Sequence, residues 1–127
     1  MISSRVWAIG AATAGLLLAV PAYAHHSAAM FDATKTVTIT GAVMEYKWAN
    51  PHAMLAVLTT DAKGAQTVWN VECSTPNILV RKGWSGTSFQ VGDKVTILAH
   101  PMRDGGQAGL LMTVSTPSGA TLKDHDY

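Results

Sequence analysis

The chain carries five histidines, and three of them stand where imidazoles could meet a metal ion. His25 and His26 follow directly on Pro21-Ala-Tyr-Ala24, and His52 ends the stretch Trp48-Ala-Asn-Pro-His52. Ala22-Tyr23-Ala24 has the small-residue form that a signal peptidase cuts, so cleavage is expected between Ala24 and His25. A histidine that begins a chain offers its α-amino nitrogen and ring Nδ1 together, closing a six-membered chelate ring that an internal histidine cannot form. One further imidazole makes a T-shaped set of three nitrogens, the histidine brace. Nitrogen donors in a tetragonal arrangement suit Cu(II), which also heads the divalent affinity order. An α-amino group with an ordinary pKa of about 7.7–8.0 can release its proton to a metal near neutral pH. The expected metal ligands are His25 and His52, with His26 as an adjacent donor and copper as the ion. His100, Met102 and Met54 come second; a thioether from either methionine would favour Cu(I).

Other chemistries lack their residues. Cys73 is the single cysteine, so no intramolecular disulfide is available, and its parity with Trp69 and Val71 marks it as an inert core thiol. Glu45 and Glu72 sit on the polar side of their strands, with nothing to pair them as acid and base. The Gly105-Gly106 loop has no lysine or helix beside it to cradle a phosphate, and no serine or cysteine carries a nucleophile signature. No catalytic residue is expected, and an oxidative copper enzyme would need a substrate surface that the sequence does not display. His125, in the charged end Lys123-Asp-His-Asp-Tyr127, reads as part of a disordered tail.

The elements that must position these residues begin after a leader. Arg5 precedes residues 6–20, an uncharged apolar run shorter than the roughly 20 residues a membrane span needs. A signal peptide over residues 1–24 places the rest in the periplasm or outside the cell, with no membrane attachment after cleavage. The remainder holds eight basic residues against eight acidic ones, so no broad positive field is available for nucleic acid or anionic lipid, and no nucleic-acid partner is expected. An arm is expected over 25–34, one domain over 35–118 and a tail over 119–127.

Within that domain the pattern is β. Val37, Ile39 and Val43 alternate with threonines, and then the phase flips to Met44, Tyr46 and Trp48; Gly41, just before the flip, is expected to mark a bulge. A second strand runs through Met54-Leu-Ala-Val-Leu58, and Asp61-Ala-Lys-Gly64 turns into a third with Trp69, Val71 and Cys73 on one side. Ser74-Thr-Pro76 opens a short helix that Gly83 ends. Val95, Ile97 and Ala99 mark a fourth strand and Leu110, Met112 and Val114 a fifth, with residues 100–109 as the loop between. The expected fold is all-β with one short helix, a five-stranded OB-fold-like Greek-key barrel, a small open sandwich being the alternative. In that barrel the loop after the first strand and the loop after the fourth border one face, which would gather His52, Met54, His100 and Met102.

Ala24-His-His-Ser27, Phe31-Asp32, Val37-Thr-Ile-Thr-Gly41, Trp48-Ala-Asn-Pro-His52, Trp69-Asn-Val-Glu72, Arg81-Lys-Gly-Trp84 and Gly92-Asp-Lys-Val95 together resemble a domain-of-unknown-function family of small exported proteobacterial proteins. The resemblance implies export and a fold but no activity. The expected function is a periplasmic copper-binding carrier or sensor component with a possible periplasmic protein partner. The alternative is a metal-free binding module whose face, with Trp48 and Tyr46, holds a small apolar ligand or a protein. Without a basic groove beside them, Trp48, Trp69 and Trp84 are expected to pack rather than stack on bases.

Overall fold

The computed structural model describes residues 27–116 and 118–125; the leader, the cleavage point, His25 and His26 lie outside the described residues. A one-turn helix α1 (Ser27–Met30) precedes three strands, β1 (Val37–Lys47), β2 (Met54–Thr60) and β3 (Gln66–Glu72). The helix α2 (Pro76–Arg81) follows, and then β4 (Lys94–Pro101), β5 (Ala108–Ser115) and β6 (Thr121–Lys123). β1 pairs antiparallel with β2 through its second half and with β4 through its first. β2 pairs with β3, β4 with β5, and a parallel β3–β5 pairing closes the ring. The result is the five-stranded OB-fold barrel, and closure removes the open sandwich.

Alternation places the core. Ile39, Val43, Leu55, Val57, Val71, Cys73, Val95, Ile97, Ala99, Leu111 and Val114 point inward and are buried. Each large aliphatic side chain so buried contributes about 1.5–3 kcal/mol; the period of two is clear in β2 and in the first half of β4, and it breaks at the register shifts between Val43 and Glu45 and between Leu98 and Ala99. Proline at the first helical position and Gly83 at φ 90° bracket α2, as the sequence indicates, and Leu79 packs into the core.

Two expectations are corrected. The bulge falls between Val43 and Glu45, making Met44 the extra residue; Met44 is exposed, while Tyr46 and Trp48 turn back toward the core. Gly41 serves a different need, because a Cβ there would stand 2.1 Å from the Leu58 carbonyl oxygen. Where β1 leaves β4 for β2 the two backbones come too close for any side chain. The second correction is the tail. Thr116 and Ala120 close a turn, Gly119 takes φ 86°, and Thr121–Lys123 pair with Thr113–Ser115 as a sixth strand.

Candidate functional site

His52 lies in the segment between β1 and β2, just after a cis Asn50–Pro51 bond. Ala53 donates to the Ser74 carbonyl and accepts from Cys73, so the β2–β3 ladder runs one step beyond the strand. Ala53 therefore points into the core, and alternation turns His52 outward on the same side as Met54. Met54 is registered opposite Glu72 on β3. The His52 Nε2 is 3.6 Å from Glu72 Oε1, with the side chains 30% and 17% exposed. His52 Nδ1 is buried and has no hydrogen-bond partner among the described residues.

His100 is not a loop residue. β4 continues through Pro101, and His100 is only 2% exposed. Its Nδ1 is 2.7 Å from the Lys35 carbonyl oxygen, which can only accept, so the ring donates from Nδ1. Leu110 joins His100 in register to Glu72, putting the two residues two strand spacings apart, roughly 10 Å. Met102 forms a bridge with Phe31, which is buried. Asp32 donates its amide to Pro101, and Arg103 bonds the carbonyls of Met30 and Ala29. These contacts dock the N-terminal arm along the β4–β5 turn.

His125, assigned by its sequence context to disorder, is held at the end of the sixth-strand segment. Its amide bonds the Leu111 carbonyl, and the preceding Asp124 is fully buried. Asp124 Oδ2 accepts the Ser74 amide at 2.7 Å, whereas Oδ1 has no partner among the described residues. Lys82 donates to the Asp124 carbonyl, and Trp84 Nε1 donates to that of Lys123 at 3.0 Å. Burial pushes the His125 pKa below its usual 6.5; the Asp124 charge opposes this, Lys82 and His100 add to it, and Glu72 opposes it.

Tyr46 and Trp48 are half-buried and pack against the core. Their rings lie 5.9 Å apart, Tyr46 meets Phe89 edge-on at 5.3 Å, and the Tyr46 hydroxyl donates to the Ser85 carbonyl. Burial raises the Tyr46 pKa, so the phenol stays protonated. The Cys73 thiol is likewise pushed up, by burial first and then by Asp124 and Glu72, and it is chemically quiet. An exposed groove of about 240 Å³ is lined by Glu45, Lys47, Met54, Ala56 and Asn70.

Among the described residues no three of His, Cys, Asp and Glu stand together in a ready metal cluster. The topology brings His52, Met54 and Glu72 onto neighbouring positions of one outer face and leaves His100 and Met102 engaged with the arm. Sequence reasoning placed Glu72 on the polar side of its strand without giving it a role. The signal was available only through register, because opposing residues on paired strands share a face. For the tail, Ser118-Gly119 before Thr-Leu-Lys123 was a turn signal that the charged residues around His125 obscured.

No curated protein matches the sequence significantly. Among solved structures the barrel is similar to the crystal structure of Rim1, a mitochondrial single-stranded DNA binding protein from S. cerevisiae. The two share 12% identity over 72% of this chain and 97% of that one, with a TM-score of 0.47. A family model described as a family of unknown function, DUF6152, matches residues 4–113. With most of its length matched, the chain belongs to the DUF6152 family.

Proposed function

We propose that the protein is an exported copper-binding protein, a carrier or sensor component of the periplasm. His25 becomes the first residue by cleavage after Ala24 and holds the ion with its amine and ring; His52 supplies the third nitrogen, and His26 lies adjacent. The observation that supports this most is the docking of the arm. Phe31 is bridged to Met102, the Met102 amide bonds the Ala108 carbonyl, and Ala108 is registered with Asn70, two residues from Glu72. The arm is therefore anchored on strands continuous with the His52 position. Only His26 separates His25 from Ser27, so the α-amine is within a covalent reach of about 7 Å of the described chain.

Cu(II) titration of the processed chain tests the reading, beside a form carrying one extra N-terminal residue. The extra residue removes the chelate and is expected to weaken binding by at least about a hundredfold, as is His52→Ala. Equal affinity in all three forms would overturn it. Mass spectrometry of the exported protein must find His25 at the N-terminus.

The groove beside Met54 supports a second reading, a metal-free module that holds a small apolar ligand or a protein partner. Under it, Ala56→Arg would abolish ligand capture and His52→Ala would leave it intact.

A further inference from the structure

We infer that Glu72 and Met54 complete the His52 position as a mixed site, one hard oxygen and one soft sulfur beside the imidazole, so that it accepts copper in both oxidation states. The inference rests on the copper reading above and assigns the ion's remaining donors.

His52 Nε2 and Glu72 Oε1 stand 3.6 Å apart, beyond the range of a good hydrogen bond. Nitrogen and carboxylate oxygen bind a transition metal at about 2.0–2.2 Å, so two donors on one ion lie between about 2.9 Å at a right angle and about 4.2 Å opposite each other. The observed separation falls inside that interval, at an angle of about 120°. The pair is too wide to bond directly and correctly spaced to share an ion.

Register supplies the sulfur. Met54 is the Cα partner of Glu72 across an antiparallel pair, and it is two residues from His52 on the same outer side. Side chains in that relation stand about 4.5–5.5 Å apart at Cβ, within reach of a flexible thioether. The His52 and Glu72 side chains are 30% and 17% exposed, so an ion can reach them from solvent. Carboxylate and imidazole suit Cu(II), whereas thioether selects Cu(I). A carrier that held only one state would lose its ion whenever its surroundings changed the other way. With both donors present, the ion exchanges sulfur for oxygen inside one site.

The processed chain is titrated with Cu(II) alone and, under a reductant, with Cu(I) against a chromophoric competitor. Glu72→Gln is expected to weaken Cu(II) roughly tenfold and Cu(I) far less, and Met54→Leu to do the reverse. Met44→Leu, at the exposed methionine of the bulge, is the control. The Cu(II) hyperfine splitting should also change in Glu72→Gln. If Glu72→Gln lowers the melting temperature but binds both ions like the parent, Glu72 merely holds His52 and the inference falls. Should that variant fail to fold, Glu72→Asp keeps the charge and withdraws the oxygen by one methylene, and unaltered Cu(II) affinity there overturns the inference equally. The two readings separate cleanly. If only the extended N-terminus weakens binding, the brace stands and the mixed site falls; if only Glu72→Gln and Met54→Leu do, the mixed site stands and the brace falls.

Discussion

The two ends of the described chain both lie against β5 and its neighbours, and they are fastened by different physics. The N-terminal arm covers the outside of the β4–β5 turn through one buried ring, Phe31, and main-chain bonds at Asp32, Arg103 and Lys35. The C-terminal segment instead continues the sheet beside β5 where β3 leaves off, with Asp124 bonding Met112 and His125 bonding Leu111. Its bolt is a fully buried carboxylate held by the Ser74 amide, with Lys82 and Trp84 gripping the adjacent carbonyls. One end lies over the barrel without adding a strand to it. The other is part of the wall.

The sharpest break of that contrast is Asp124→Ala. It strands the Ser74 amide in the interior and removes a charge-assisted bond, a loss of about 2–3 kcal/mol. For a domain of this size the melting temperature should fall by roughly 10–20 °C, read by circular dichroism. Asp124→Asn keeps an oxygen acceptor and should recover part of the loss. If Asp124→Ala melts with the parent, the tail is a cover like the arm.

Phe31→Ala should behave otherwise. A phenylalanine lost from a core costs about 3–5 kcal/mol, but an arm that can detach limits the global loss to its own docking energy. The expected result is a global melt that moves less than in Asp124→Ala, together with faster hydrogen exchange at the amides of Asp32, Lys35 and Arg103. Global destabilisation equal to that of Asp124→Ala would show the arm to be structural too.

This contrast also explains what the sequence disclosed. The barrel strands were readable because each buries one face, so Leu55 and Val57, or Val95 and Ile97, announce themselves at a period of two. The helix was readable from Pro76 and Gly83, whose backbone demands are local. The tail was not, since three residues are too few to show a period and Asp124 finds its partner fifty residues away. Charge there looked like solvation and is in fact a buried anchor. The bulge was misplaced by three residues for a related reason. Gly41 is required by the Leu58 backbone across the sheet rather than by its own strand. His52 could be singled out from its motif, but Glu72 became a candidate only once β2 and β3 were set in register.

Acid should separate the two ends in order. Burial lowers the His125 pKa below 6.5, so the unfolded chain takes up that proton before the folded one does. Stability from this group is fully present above about pH 6.5 and declines as pH falls from there through the lower folded value. Denaturant midpoints measured from pH 8 to pH 5 should fall over the acidic part of that range, and His125→Gln should flatten that portion. A parent whose midpoint does not change there would contradict the docking of His125.

The arm's acid response belongs lower. Asp32 has its pKa held below 3.8, first by the Thr34 hydroxyl at 2.6 Å, then by the Thr34 amide, with Lys35 and Arg103 adding their charges against a small burial effect. Its folded value is depressed, so its contribution is present above pH 3.8 and is lost as pH falls through the folded value. Thr34→Val keeps the shape and removes the hydroxyl. Carbon-detected titration should then show the Asp32 carboxyl moving back toward 3.8, with the melting temperature at neutral pH barely altered. This is the smallest effect of the series and the most local, because Asp32 shapes its own turn while Pro101 and Arg103 continue to hold the arm. An unchanged Asp32 titration would instead assign the shift to the Thr34 amide, which valine keeps, together with the charges of Lys35 and Arg103.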